Sequence, residues 1–186
     1  MKTHFDIEKL VENGSITNEL DYERAMIADR KLRLLSKEGT HFKNLRLKLR
    51  DLIEEYENSE WSDLDNITEE KLLESEKSEQ IAEFERLFIE TRKQKIRKKL
   101  KELDLTQENL AVILGHKSKT HMSELINGIK PFTLKDLVII NRLLKIDLKI
   151  LVPIFLSKDD QLKVKEAVKS LDKPKIKLTG ADFVLC

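Results

Sequence analysis

The stretch from Leu105 to Leu137 contains three short amphipathic segments separated by two turns, and this pattern restricts the fold more than any other part of the chain. Gly115 ends the first segment and Asn127-Gly128 ends the second, since Gly and Asn tolerate the left-handed conformation that follows a helix. A hydroxyl-bearing residue that can cap a helix precedes each segment: Thr106, Ser118 and Thr133. Three short helices joined by tight turns predict a helix-turn-helix.

The second of these helices carries an outward face on which every side chain can form hydrogen bonds. Its inward residues are Met122, Leu125 and Ile126. Base edges in the major groove present donors and acceptors, so a face of this kind is typical of a recognition helix. The candidate DNA-contacting residues on and around it are Gln107, Lys117, Ser118, Lys119, Thr120, His121, Ser123, Glu124 and Lys130. The alternative is a helical hairpin with a merely solvated face.

The order TQxxLAxxLG, S-x-T and S-x-L-x-NG resembles the helix-turn-helix domain of Cro/repressor proteins, which implies five helices from about Leu87 to Val152. The segment GHKSKTHMSELINGIKPFTL is one residue longer than in common repressors and is similar to HigA antitoxins. Residues 16–65, with YERAMIADRKLRLL and a W-x-D segment, resemble the longer HigA proteins. The resemblance implies an antitoxin that silences a basic ribonuclease toxin and represses its own operon.

The rest of the chain is predicted to be mainly helical, because charged residues make up 37% and aromatic residues 5% of its 186 positions. We expect an acidic helical N-terminal domain over residues 1–66 and a linker helix over 67–85, solvent-exposed at 68–80. The helix-turn-helix domain then covers residues 86–153. A C-terminal helix and tail cover 154–186, and alternation in Lys175–Leu178 suggests a short strand.

The net charge of +1 conceals a split along the chain. Residues 1–90 sum to −9, residues 91–150 to +8 and residues 151–186 to +2. A basic domain suits DNA, and an acidic surface suits a basic protein, although a solvated face explains the acidic half equally well. The acidic residues predicted to contact the toxin lie on and after the amphipathic helix from Phe42 to Tyr56: Asp51, Glu54, Glu55, Glu57, Glu60, Asp63 and Asp65.

Several classes of function are disfavoured by what the sequence lacks. No apolar run approaches a bilayer span, no signal peptide is evident, and Cys186 alone cannot form an intrachain disulfide, so we expect a cytoplasmic protein. The four histidines lack zinc-ligand spacing, and there is no glycine-rich phosphate loop or catalytic triad motif. We therefore expect no metal, no cofactor and no enzymatic activity.

Three hypotheses for the function remain. The first is an antitoxin that binds a small basic ribonuclease toxin and, as a homodimer, binds double-stranded operator DNA. The second is a stand-alone Cro/repressor-like regulator whose N-terminal domain senses a signal or mediates oligomerisation. The third is a structural adaptor with a decayed helix-turn-helix, which DNA binding would exclude. A neighbouring gene for a small basic protein would separate the first from the second.

Overall fold

The computed structural model describes residues 5–63, 67–153, 158–173, 175, 176 and 178. Within these ranges the chain is mainly helical and contains no strand, which confirms the predicted fold class; of the stretch expected to form a strand, Lys177 lies outside the described residues. The helices are α1 (Ile7–Asn13), α2 (Glu19–Leu35), α3 (Thr40–Glu60), α4 (Glu69–Glu102), α5 (Gln107–Leu114), α6 (Lys119–Asn127), α7 (Leu134–Leu144), α8 (Leu148–Leu151) and α9 (Lys158–Ser170). None of these helices combines the length and apolarity needed to cross a membrane.

The N-terminal helices α1, α2 and α3 pack around a shared apolar core. Asn18 caps α2 by accepting from the amide of Asp21, and α2 then buries Ala25, Ala28, Leu32 and Leu35. Ile129, which follows α6, belongs to this core. Its carbonyl also accepts a hydrogen bond from the amide of Ile7, at 3.1 Å. The first residue of α1 is therefore joined directly to the turn that follows the predicted recognition helix.

Helix α4 is one continuous helix of 34 residues, which begins within the predicted linker and runs into the helix-turn-helix domain. Most of residues 68–80 are exposed, as expected, but Ser78 is only 7% exposed, and Ala82 just beyond this segment is 2% exposed. Their small side chains allow α4 to lie close against α2. Arg24 of α2 stabilises the contact between the two helices by donating two hydrogen bonds to the Glu85 carboxylate of α4, at 2.5 and 2.8 Å. The sequence did not reveal this contact, because the small side chains of α4 that form it lie among Glu and Lys residues and give little apolar periodicity.

Arg92 connects α4 to α8. Its guanidinium lies over the rings of Phe88 and Phe132, at 5.4 and 5.2 Å from their centroids, and donates to the carbonyl of Leu151. Burial lowers the pKa of Arg92 to about 10. The side chain therefore acts as a core packing group within a basic stretch of α4.

Two compact units divide the chain, Met1–Leu151 and Val152–Cys186. The described parts of α1 to α8 thus belong to one unit, in which α1 and α3 contact α6 and the turn after it. In the second unit, α9 is a 13-residue helix. Most of the tail after it, residues 179–186, lies outside the described residues.

Candidate DNA-binding interface

Local capping builds the turn between α5 and α6 as the sequence predicts. The Thr106 hydroxyl accepts from the amide of Asn109, whose side chain accepts in return from the amide of Thr106. Gly115 ends α5 with φ of 83°, in the left-handed region that a residue without Cβ occupies most readily. Ser118 then begins α6 by accepting from the amide of His121 at 3.2 Å. The predicted caps and turn are therefore confirmed.

The N-terminal turn of α6 is open to solvent. Lys117, Ser118, Lys119 and Thr120 are all exposed, as expected for residues that reach into a groove of DNA. The ammonium group of Lys119 lies 2.5 Å from the Glu108 carboxylate at the start of α5. This exposed pair links the first turns of the two helices without burying either charge.

A polar groove of about 410 Å³ runs between α5 and α6. Gln107, the first residue of α5, lines it together with Lys119 and Ser123. Glu38, from the connection between α2 and α3, also lines it. The groove therefore brings together side chains from the motif and a carboxylate from the N-terminal helices.

Ser123 and Glu124 do not lie on the exposed face of α6, and the expectation that they do is wrong. They are 6% and 3% exposed. The Ser123 hydroxyl donates to Glu38 at 2.9 Å, and the Glu124 carboxylate meets His41 at 2.7 Å. Helical periodicity places both residues opposite the motif's own core, but the N-terminal helices cover that side. Any contact they make with DNA requires this cover to move.

Glu124 is the centre of a charged cluster formed by Glu8, His41, His121, Glu124 and Lys130. His41 Nε2 lies 3.1 Å from the Glu8 carboxylate as well as 2.7 Å from that of Glu124. The Lys130 ammonium lies 2.5 Å from Glu8 and 3.2 Å from Glu124. Nδ1 of His121 lies 3.2 Å from the second oxygen of Glu124. The cluster ties α1 and α3 to α6, and Lys130, predicted to contact DNA, is half-buried within it.

Two opposing effects act on the pKa of Glu124. Burial favours the neutral carboxyl and raises this pKa, whereas hydrogen bonding with Glu8 and His121 and the charge of Lys130 lower it. The second group of effects is stronger, so the pKa of Glu124 lies below its ordinary value of 4.5. The carboxylate is therefore charged at neutral pH and holds the surrounding cations.

The same atoms have the types found in metal sites. His41 Nε2 and one oxygen each of Glu8 and Glu124 lie within 4.8 Å of one another. Lys130, however, places its ammonium against both carboxylates and balances their charge. We therefore interpret the cluster as an ion network that holds two helical layers together.

Glu8, Glu38 and His41 are the residues that the sequence did not reveal as part of this region. Ser123 and Glu38 are 85 residues apart in the chain, so no local motif links them. A single polar residue at the helix connection, such as Glu38, looks like an ordinary solvated turn residue. The one available signal was the polar face of α6 itself, which can accept a protein partner as readily as DNA.

The acidic residues predicted to contact a toxin fall into two groups. Asp51, Glu54 and Glu55 are exposed on α3 and form no ion pair within the described part of the chain. Glu57 accepts from the Tyr22 hydroxyl at 2.8 Å, and Glu60 pairs with Lys71 at 3.0 Å. Of the remaining two candidates, Asp63 is exposed and Asp65 lies outside the described residues.

A helix-turn-helix family model matches residues 96–151, from the last turns of α4 to the end of α8. No curated protein matches the chain, and no solved structure does. The match coincides with the capped helices and the open turn of α6. Residues 96–151, about a third of the chain, are therefore a helix-turn-helix domain of the Cro/repressor type, and this domain is that of a DNA-binding regulator.

Proposed function

We propose that the protein is an antitoxin that represses its own operon through α6 and neutralises a small basic ribonuclease through the acidic surface of its N-terminal half. The repressor part is supported chiefly by the exposed first turn of α6, where Lys117 to Thr120 point away from the core. The antitoxin part is supported by charge and by the resemblance of the sequence to HigA antitoxins. The proposed function includes no catalytic role for the protein.

For DNA, the proposal places the first turn of α6 in the major groove. Lys119 and Thr120 carry side-chain donors that suit base edges. The ammonium group of Lys119 can leave its pair with Glu108 for DNA, because that ion pair is exposed and easily exchanged. We propose that Gln107 contacts a phosphate next to that groove. Two copies of the chain then read a palindromic site with half-sites about 34 Å apart.

For the toxin, the proposal depends on residues 51–90, which carry 15 acidic and 3 basic residues. On α3, exposed Asp51, Glu54 and Glu55 lie beside Leu47, which is 53% exposed. Leu47 lies one turn before Asp51, at the end of α3's basic first half, so the acidic surface begins next to an exposed apolar side chain. Carboxylates that form no ion pair suit a partner whose surface is basic, as a protein that grips RNA must be. The carboxylates steer the encounter, and Leu47 provides area to bury.

The test uses the full-length chain, because α4 packs on α2 and a cut near residue 85 would expose that contact. Asp51→Asn, Glu54→Gln and Glu55→Gln are combined in one variant and expressed with the small basic protein encoded beside this gene. We expect the affinity of the variant for that protein to fall at least ten-fold, and we expect the variant to stop protecting the cell from it. DNA binding should persist, because these residues lie in the second half of α3 and form no part of the exposed first turn of α6.

The control variant changes charge by the same amount at exposed positions on other helices: Glu12→Gln, Glu102→Gln and Glu166→Gln. It should protect the cell as the unaltered protein does. Protection by the triple α3 variant would contradict the proposed toxin surface. If the neighbouring product does not bind the unaltered protein, the stand-alone regulator becomes the better account, and the packing of α1 and α3 on α6 would then serve to transmit a signal.

The proposed homodimer has support from exposed apolar side chains within the motif. Val112 of α5 is 77% exposed and Leu134 of α7 is 69% exposed, and burying them against a second copy would be favourable. Replacing both with Glu should give a monomer by light scattering. If the variant remains a dimer, the dimer interface does not involve Val112 and Leu134.

A further inference from the structure

The N-terminal half, acidic as a whole, contains a strongly basic segment. Arg30 to Arg50 carries eight basic residues and only one acidic residue, Glu38, a net of +7. Residues 51–90 by contrast sum to −12. We call residues 30–50, the end of α2 and the first half of α3, the α2–α3 corner. The net charge of −9 over the first 90 residues conceals this basic segment.

This corner, together with α1, covers part of α6. Glu38, within the corner, accepts from Ser123 at 2.9 Å, and His41, in the first turn of α3, meets Glu124 at 2.7 Å. The corner therefore lies beside the exposed first turn of α6, where Lys119 is presented to solvent. A duplex that reaches Lys119 has the corner as its nearest protein neighbour on this side.

Most of the corner's positive charge is free. Arg46 is bound to Asp29, at 2.8 Å, and Lys31 is half-buried. Five cations are exposed and form no ion pair among the residues that the structure describes: Arg33, Lys37, Lys43, Lys48 and Arg50. A cluster of exposed cations without local counter-charges is the electrostatic feature of a surface that contacts phosphate.

We propose that the α2–α3 corner is a second DNA-contacting surface, which binds the phosphate backbone next to the groove entered by α6. This inference rests on the DNA binding proposed above. The corner covers the half of α6 that holds Ser123 and Glu124, and its own cations supply binding where that half cannot reach DNA. Phosphate contacts set position and affinity but do not read bases, so the corner adds binding strength without sequence preference.

Two lysines are best placed for this contact. Lys37 directly precedes Glu38, whose carboxylate is held by α6. Lys48 follows His41 by seven residues, so it shares the same face of α3 about 10 Å further along the helix. Both are exposed. Together they would follow the backbone for roughly two phosphates.

The test measures binding of the full-length chain to its upstream DNA, and to a scrambled duplex, across a range of salt concentrations. The variant combines Lys37→Ala with Lys48→Ala. The slope of log affinity against log salt should fall by about 0.9 for each phosphate that the protein no longer neutralises, so we expect a fall of about 1.8. Affinity for both duplexes should drop together by at least ten-fold at low salt, and their ratio should stay the same.

Two controls separate this effect from a general reduction in positive charge. Lys37→Arg with Lys48→Arg keeps both charges and should keep the slope. Lys77→Glu changes the net charge by the same two units on the acidic part of α4 and should also keep it.

An unchanged slope in the alanine variant would overturn the proposal, and so would tighter binding, which would make the corner an obstruction to DNA. A chain that binds no DNA before any substitution would refute the repressor function itself, a result distinct from either of these.

Discussion

The Glu124 carboxylate of α6 lies 2.7 Å from Nε2 of His41 in the first turn of α3. The N-terminal helices thus hold a residue of α6, the proposed recognition helix. Glu124 is the buried member of this contact, at 3% exposed. Glu8 and Lys130 complete the contact from α1 and from the turn after α6. The position of α6 depends in this way on residues more than 80 positions earlier in the chain.

Glu124→Gln should reduce the free energy of unfolding by about 1–3 kcal/mol, because it removes the charge that His41, His121 and Lys130 share while keeping the size of the side chain. The pKa of Glu124 is lowered in the fold, so its contribution is complete above the ordinary value of 4.5 and is lost as the pH falls through the folded value. Urea unfolding at pH 7 and pH 3 measures this.

The difference between the unaltered chain and Glu124→Gln should therefore be large at pH 7 and small at pH 3. Glu108→Gln is the control, since Glu108 belongs to an exposed ion pair, and it should change stability little at either pH. A constant difference for Glu124→Gln between the two pH values would show that the cluster does not depend on the charge of this carboxylate.

The capped turns of the motif could be predicted from sequence because each depends on one or two local residues. Ser118 and Gly128 act within four residues of their own positions, so the pattern alone identifies them. The cover over Ser123 and Glu124 could not be predicted, since helical periodicity shows which face is polar but not whether water, DNA or another helix meets it. The extent of α4 was hidden for a related reason: its contact with α2 uses Ser78 and Ala82, which are too small to give an apolar stripe.

Lys31→Met should stabilise the protein at neutral pH. Burial, and next the charge of Lys93, lower the pKa of Lys31 from 10.5 to about 8. Below pH 8 the folded state carries a disfavoured charge, so Met at this position should raise the free energy of unfolding on the order of 1 kcal/mol. Between pH 8 and 10.5 only the unfolded chain keeps the proton, so the unaltered protein gains stability and the advantage of Met shrinks.

Chemical unfolding at pH 7 and at pH 9.5 measures the effect of Lys31→Met, with Lys77→Met as an exposed control that should be near neutral. An advantage that stays equal at both pH values would mean that Met acts through packing alone. A destabilised Lys31→Met variant at pH 7 would mean that the ammonium group has a favourable role in the fold.

Gly115→Ala should lower the free energy of unfolding by about 1 kcal/mol. The residue has φ of +83°, and a Cβ there meets no atom within 4 Å, so the cost is that of the left-handed backbone and not of a clash. Gly39→Ala is the matched control, because φ at Gly39 is 169°, which is extended, and the space around it is also open. Thermal unfolding should show a lower Tm for Gly115→Ala only. Equal shifts in the two variants would contradict the assigned turn.

The most direct test of the central claim is a binding titration with the DNA upstream of the gene and a scrambled duplex of equal length. The unaltered chain should prefer the upstream DNA by at least about 100-fold, a value at the modest end of what specific binding achieves. Lys119→Ala with Thr120→Ala, at the exposed start of α6, should remove most of this preference while weakening binding to the scrambled duplex far less. Equal binding of the unaltered chain to both duplexes, or no binding at low salt, would contradict the account.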